Sequence, residues 1–173
     1  MTGEAAARFR WALVVTFAGI VLIAAGGEAF AAVGIDEKLG EKVPLDLTFM
    51  DEEGQPVKLG DLVDRPTILS LVYYRCPGIC GPLMGGVSEV LDRIQDAVPG
   101  KDFRVLTISF NAEETAEMAG RKKANYYKSF HREMSPDAWR FLTGTQANID
   151  AIASAVGFQY EPAGNEWVHP AAI

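Results

Sequence analysis

The sequence predicts an α/β domain, with a mostly parallel central sheet flanked by helices and an added β-hairpin at its N-terminal end. Three observations predict it. Thr67–Tyr74 (TILSLVYY) and Phe103–Phe110 (FRVLTISF) are runs rich in β-branched, leucine and aromatic residues, as strands buried on both faces are. Leu83, Val87, Val90, Leu91 and Ile94, and later Ile149, Ile152 and Val156, recur every three or four positions, the period of a helix with one buried face. Strands alternating with such helices are joined by crossovers, and crossovers make a sheet parallel.

Leu45, Leu47 and Phe49 alternate with Asp46 and Thr48, giving a half-buried strand; Asp51-Glu52-Glu53-Gly54 is a turn, and Pro56–Leu59 returns as its partner. Gly60 to Asp64 forms one helical turn before the first core strand. Leu83, Val87, Val90, Leu91 and Ile94 then set a helix from Gly81 to Ala97, with Pro82 tolerated in its first turn and Pro99-Gly100 ending it. After the second core strand, Glu113, Glu114 and Glu117 open a helix that Arg121, Lys122, Lys123 and Lys128 close, complementing the macrodipole at both ends. Its charges form a solvated face. Trp139–Leu142 is a short strand, Thr145 caps a helix with Ile149, Ile152 and Val156 inward, and Trp167–Ile173 starts a last strand. Nothing follows to turn or cover that strand, so C-terminal elements are expected to be missing and the chain to be a fragment.

At 173 residues the chain holds one such domain and a targeting segment. A net charge of −7 without a basic stripe argues against nucleic acid as a partner. Arg8 and Arg10 precede an uncharged apolar stretch, Trp11–Ala25, and Ala29-Phe30-Ala31 offers small residues at a signal peptidase's spacing. Residues 1–31 therefore read as a signal peptide or an uncleaved membrane anchor, with a buried soluble helix the weakest alternative. Either of the first two exports the domain. Residues 32–44 read as a linker and 45–173 as the domain.

The chemistry concentrates in Cys76-Pro77-Gly78-Ile79-Cys80, which holds both cysteines at a strand-to-helix junction, a thioredoxin-like layout. Pro77 disfavours helical geometry at Cys76, placing it on the loop and Cys80 at the helix start, where the helix N-terminus is expected to lower the Cys80 pKa. In an exported protein the plain reading is a structural disulfide, but so short a loop removes little unfolded-state entropy. The pair reads instead as functional: redox-active, or ligating a soft metal such as Cu(I) or zinc. Two thiolates rarely complete a site. His131 follows a charged helix end and reads as a cap or surface residue. His169, in Trp-Val-His-Pro, reads as a structural histidine or as the third ligand. Met84 reads as core, with a weak axial ligand the lesser alternative.

The run Leu71–Leu83 (LVYYRCPGICGPL), with Leu106–Phe110 (LTISF), Lys122–Tyr126 (KKANY) and the late Val168-His169-Pro170-Ala171, resembles the Sco/SenC family of copper-delivery proteins. The resemblance covers roughly residues 33–173, and a Cys-Pro-x-x-Cys element with a late histidine is a specific signal. It implies a thioredoxin-like fold with an inserted hairpin. It implies one copper ion, Cu(I) or Cu(II), held by Cys76, Cys80 and His169, and delivery to the copper-accepting subunit of a cytochrome oxidase or to another copper or thiol protein. It also implies a periplasmic place, soluble after signal cleavage or tethered to the inner membrane. The chain departs from the family at Asn111-Ala112, where an Asp-Pro pair is common, removing a carboxylate. The alternative function is a thiol-disulfide oxidoreductase that uses Cys76 and Cys80 as its redox pair and needs no ligand at His169. A peroxidase lacks support because no Thr-x-x-Cys arrangement is present, and a non-catalytic domain with an incidental disulfide would bind no metal.

Overall fold

The computed structural model describes residues 33–173. Its centre is a parallel three-stranded sheet in the order β4 (Thr67–Val72), β5 (Arg104–Ser109), β6 (Trp139–Leu142). The middle strand, β5, is buried along its whole length, with Val105, Leu106 and Ile108 in the core and Arg104, Thr107 and Ser109 buried beside them. Three helices serve as the crossovers and cover: α2 (Cys80–Arg93), α3 (Ala116–Tyr127) and α4 (Gln146–Ala155), preceded by a single turn, α1 (Leu59–Leu62). Phe49, Phe110, Trp139 and Phe141 are fully buried at the centre of the core.

The hairpin of β2 (Thr48–Met50) and β3 (Pro56–Lys58) is antiparallel and lies against the β6 side of the sheet, where Met50 and Thr143 exchange backbone hydrogen bonds of 2.7 and 2.9 Å. Polar groups in the core are matched. Trp139 Nε1 donates to Thr107 Oγ1 at 2.7 Å, Thr107 Oγ1 meets Ser70 Oγ at 2.8 Å, and Tyr74 Oη donates to the Leu142 carbonyl at 2.7 Å. Among the described residues no buried side-chain polar atom lacks a partner.

Several elements differ from expectation. Leu45 and Leu47 lie ahead of the strand, which begins at Thr48, although their carbonyls still accept from Gly60 and Leu59. Helix α2 stops at Arg93 because Ile94 turns extended, and Arg132 donates to its carbonyl at 2.7 Å. The stretch 32–44 is more than a linker, since β1 (Gly34–Ile35) pairs antiparallel with β7 (Phe158–Gln159). The expected strand Trp167–Ile173 is instead half of a hairpin: β8 (Glu161–Ala163) pairs with β9 (Glu166–Val168) across a turn in which Gly164 takes φ +65°. Pro170, with no N–H to give a ladder, stands two residues beyond the strand's end. Among the described residues no helix is long and apolar enough to cross a membrane. The signal or anchor read in residues 1–31 lies outside the described residues.

Candidate metal centre

Strand β4 ends at Val72, and the chain turns through Tyr73, Tyr74 and Arg75 to reach Cys76, whose N–H bonds the Tyr73 carbonyl at 3.1 Å. Cys80 is the first residue of α2, so the proline-bearing loop does separate the two thiols as the sequence indicates. Both cysteines are free; Cys76 is half-buried and Cys80 is buried. His169 arrives from the far end of the chain, directly after β9. Its Nε2 stands 3.8 Å from Cys76 Sγ and 3.6 Å from Cys80 Sγ. All three ligand atoms lie within 4.8 Å of one another.

The histidine is oriented from both sides. Its Nδ1–H donates to the Pro170 carbonyl at 2.8 Å, which orients the ring and leaves Nε2 facing the sulfurs. Its ring packs against Phe110 at 5.0 Å between centroids and takes Tyr73 at 5.6 Å in a T-shaped contact. A cavity of about 600 Å³ opens between the loop that carries Cys76 and the β8–β9 hairpin, lined by Tyr73, Arg75, Pro77, Glu113 and Trp167 among others.

The donor set fits a soft, thiophilic ion. Bonds of about 2.3 Å to sulfur and about 2.0 Å to nitrogen, opened to trigonal angles, put S and N roughly 3.7 Å apart. The two observed S···N distances bracket that value.

The two thiols are electrostatically unlike, and here the expectation for Cys80 is overturned. Burial pushes the Cys80 thiol up to about 12, and the neighbouring Cys76 adds to the rise, outweighing any help from the helix N-terminus. For Cys76 burial also opposes ionisation, but the Cys80 amide, the His169 ring and the Gly78 amide outweigh it and bring the thiol down to about 7. The Gly78 N–H lies 3.4 Å from Cys76 Sγ. Tyr73 is pushed up to about 12 by its burial and by Cys76 beside it.

The other candidates fall where the plainer readings put them. Met84 is a buried core residue. His131 pairs with Asp92 of α2, its Nδ1 2.7 Å from the carboxylate. The site residue that the sequence concealed is Glu114. Read there as a helix-opening charge, it sits ahead of α3, whose N-cap is Thr115, and its carboxylate is wholly buried. It accepts from the Tyr74 N–H at 2.6 Å, the Arg75 N–H at 2.8 Å and Ser109 Oγ at 2.6 Å. The one usable signal was Thr115, since an N-cap threonine leaves the residue before it outside the helix. The Asp-Pro departure does place a neutral residue at Asn111, which accepts the Glu113 N–H at 3.0 Å, yet a carboxylate still enters the region three residues later.

Fold and site together define a thioredoxin-like protein with a dithiol at the sheet's edge and an imidazole closing it into a three-donor cluster. A profile described as SCO1/SenC matches residues 36–171, and the chain belongs to that family. A candidate electron transfer protein from Aquifex aeolicus VF5 is 29% identical, with a TM-score of 0.68, over 77% of this chain and 75% of its own. Arabidopsis thaliana ScoI, solved with copper bound, is 22% identical, with a TM-score of 0.53, over 70% and 72%. Bradyrhizobium japonicum ScoI, also with copper bound, is 22% identical, with a TM-score of 0.51, over 73% and 76%. No curated protein matches the sequence.

Proposed function

We propose that this protein is an exported copper chaperone: it carries one copper ion on Cys76, Cys80 and His169 and delivers it for assembly of the copper centre of cytochrome c oxidase. The single observation that carries the reading is the convergence of two sulfurs and the His169 Nε2 at metal-ligand spacing, from segments 89 and 93 residues apart in the chain. The two ScoI relatives solved with copper support it. Copper here is cargo. The half-exposed Cys76 gives an acceptor's thiolates a place to enter, and ligands can exchange one at a time; oxidation of Cys76 and Cys80 to a disulfide would remove both sulfur donors together. The periplasm, reached through a cleaved signal or a retained inner-membrane anchor, is the place this reading assigns.

A second reading is favoured by the unlike thiols. A half-exposed Cys76 with a lowered pKa beside a buried, protonated Cys80 has the asymmetry of a dithiol reductant. Cys76 would attack a partner's disulfide and release one partner thiol. Cys80 would then attack Cys76 in the mixed disulfide, release the second thiol, and leave Cys76–Cys80 oxidised.

Copper titration of the reduced protein separates the two readings. The chaperone binds one equivalent tightly, and His169→Ala weakens it by more than the roughly 10–100-fold that losing an outer-shell partner costs. Absent binding, or binding indifferent to His169 together with rapid disulfide reduction, would move the assignment to the oxidoreductase.

A further inference from the structure

We infer that Glu114 is a positioning residue for the thiol pair: its buried carboxylate holds the turn that carries Cys76, and thereby keeps that sulfur in register with Cys80 and His169. The inference deepens the copper reading above and takes its copper arm from it. The observation behind it is an accounting of backbone donors. Through Val72, β4 pairs residue by residue with β5, and Phe110 N–H closes that pairing on the Val72 carbonyl at 2.8 Å. The next residues leave the sheet, and the amides of Tyr74 and Arg75 have no strand to bond. Glu114 takes both, one on each carboxylate oxygen, at 2.6 and 2.8 Å. Ser109 Oγ, from the end of β5, donates to the same oxygen as Tyr74, and Arg75 Nε approaches the other at 3.5 Å.

The carboxylate thus joins the ends of β4 and β5 to the turn one residue before Cys76. A side chain this buried, with hydrogen bonds to consecutive amides, fixes their peptide planes, and the Cys76 Cα follows from them. Fixing those planes holds Cys76 where its sulfur meets the His169 ring, in the dithiol arrangement. With the turn released, the two sulfurs can also approach each other, which favours the disulfide.

The experiment compares Glu114→Gln with Glu52→Gln. Glu52 is a second buried carboxylate, bonded to Lys123, Arg140 and the Phe141 N–H, and it stands in the β2–β3 hairpin away from the thiols. In E114Q the new amide must present N–H to one of the backbone donors, so one of the two bonds is lost. The expected result is a copper affinity lower by about 10–100-fold and a dithiol–disulfide equilibrium shifted toward the disulfide in a dithiothreitol buffer. E52Q should lower the melting temperature without moving either. If E114Q does not fold, E114D, one methylene short of spanning both amides, carries the same expectation. The inference is overturned if E114Q matches wild type in both readouts, or if E52Q shifts both to the same extent. Wild-type protein that takes up no copper would sink the copper reading alone, and the inference would then be decided by the disulfide equilibrium.

Discussion

Cys76 and Cys80 lie four residues apart, yet their surroundings give them opposite habits. Burial and the neighbouring thiol hold Cys80 protonated, whereas Cys76 collects two amides and the His169 ring. In reduced, metal-free protein, iodoacetamide should therefore modify Cys76 with a rate that rises through about pH 7, leaving Cys80 unmodified. Peptide mapping that found Cys80 labelled first would refute this. The same asymmetry has a sign in stability. Cys76 ionises more readily folded than unfolded, so its contribution grows as pH rises from about 7 toward the ordinary thiol value of 9.0 and is lost as pH falls through about 7. Cys80 works the other way: above 9.0 the unfolded chain ionises it while the folded protein does not, and stability declines. The urea midpoint of the reduced protein should rise between these pH values relative to Cys76→Ser, and a flat difference would contradict the assignment.

At the scale of elements, the two glycines at positive φ in the C-terminal part of the chain make unequal demands. Gly157 has φ +68°, and a Cβ there would lie 1.7 Å from the Asp36 carbonyl oxygen; Gly164 has φ +65° with open space around it. Gly164→Ala should cost only the left-handed backbone penalty of about 1–2 kcal/mol. Gly157→Ala adds a clash that must separate β1 from β7, so its melting temperature should fall several degrees further; equal losses would show that the pairing contributes little. This contrast also marks what the sequence could reveal. The core strands, the capped helix α4 and the loop-plus-helix placement of the cysteines were legible because period, cap and proline act locally. The β1–β7 pair was not, because two two-residue strands 123 positions apart leave no periodic trace. Glu114 was misread for a related reason: a carboxylate beside a helix start looks alike whether it faces solvent or the backbone of a distant turn. The terminal hairpin was hidden by Val168, Ala171 and Ile173, which mimic a core strand although Gly164 and Pro170 turn the chain otherwise.

Across the whole domain, the three donors belong to regions of very different burial. The thiols are attached to β4 and α2, which pack into the main core around β5. His169 hangs on the β8–β9 hairpin, whose residues are mostly exposed and whose hold on the core is a ladder of aromatic contacts. Trp167 meets Phe110 at 6.1 Å and Tyr160 at 5.3 Å, and His169 itself meets Phe110. Segments with little buried area open locally at far lower free energy than the core does. In the copper-free protein, amides of β8 and β9 should therefore exchange with solvent well ahead of those of β5. A ligand that binds only the closed arrangement adds its binding free energy to that arrangement, so loading with one equivalent of copper should slow exchange in the hairpin while leaving β5 unchanged. Trp167→Ala should weaken copper binding with a smaller effect on melting than a core truncation such as Phe141→Ala, which is expected to cost about 3–5 kcal/mol. A hairpin protected as strongly as β5 before copper is added would mean that His169 is a fixed part of the scaffold. One that stayed open afterwards would mean that it does not close on the metal.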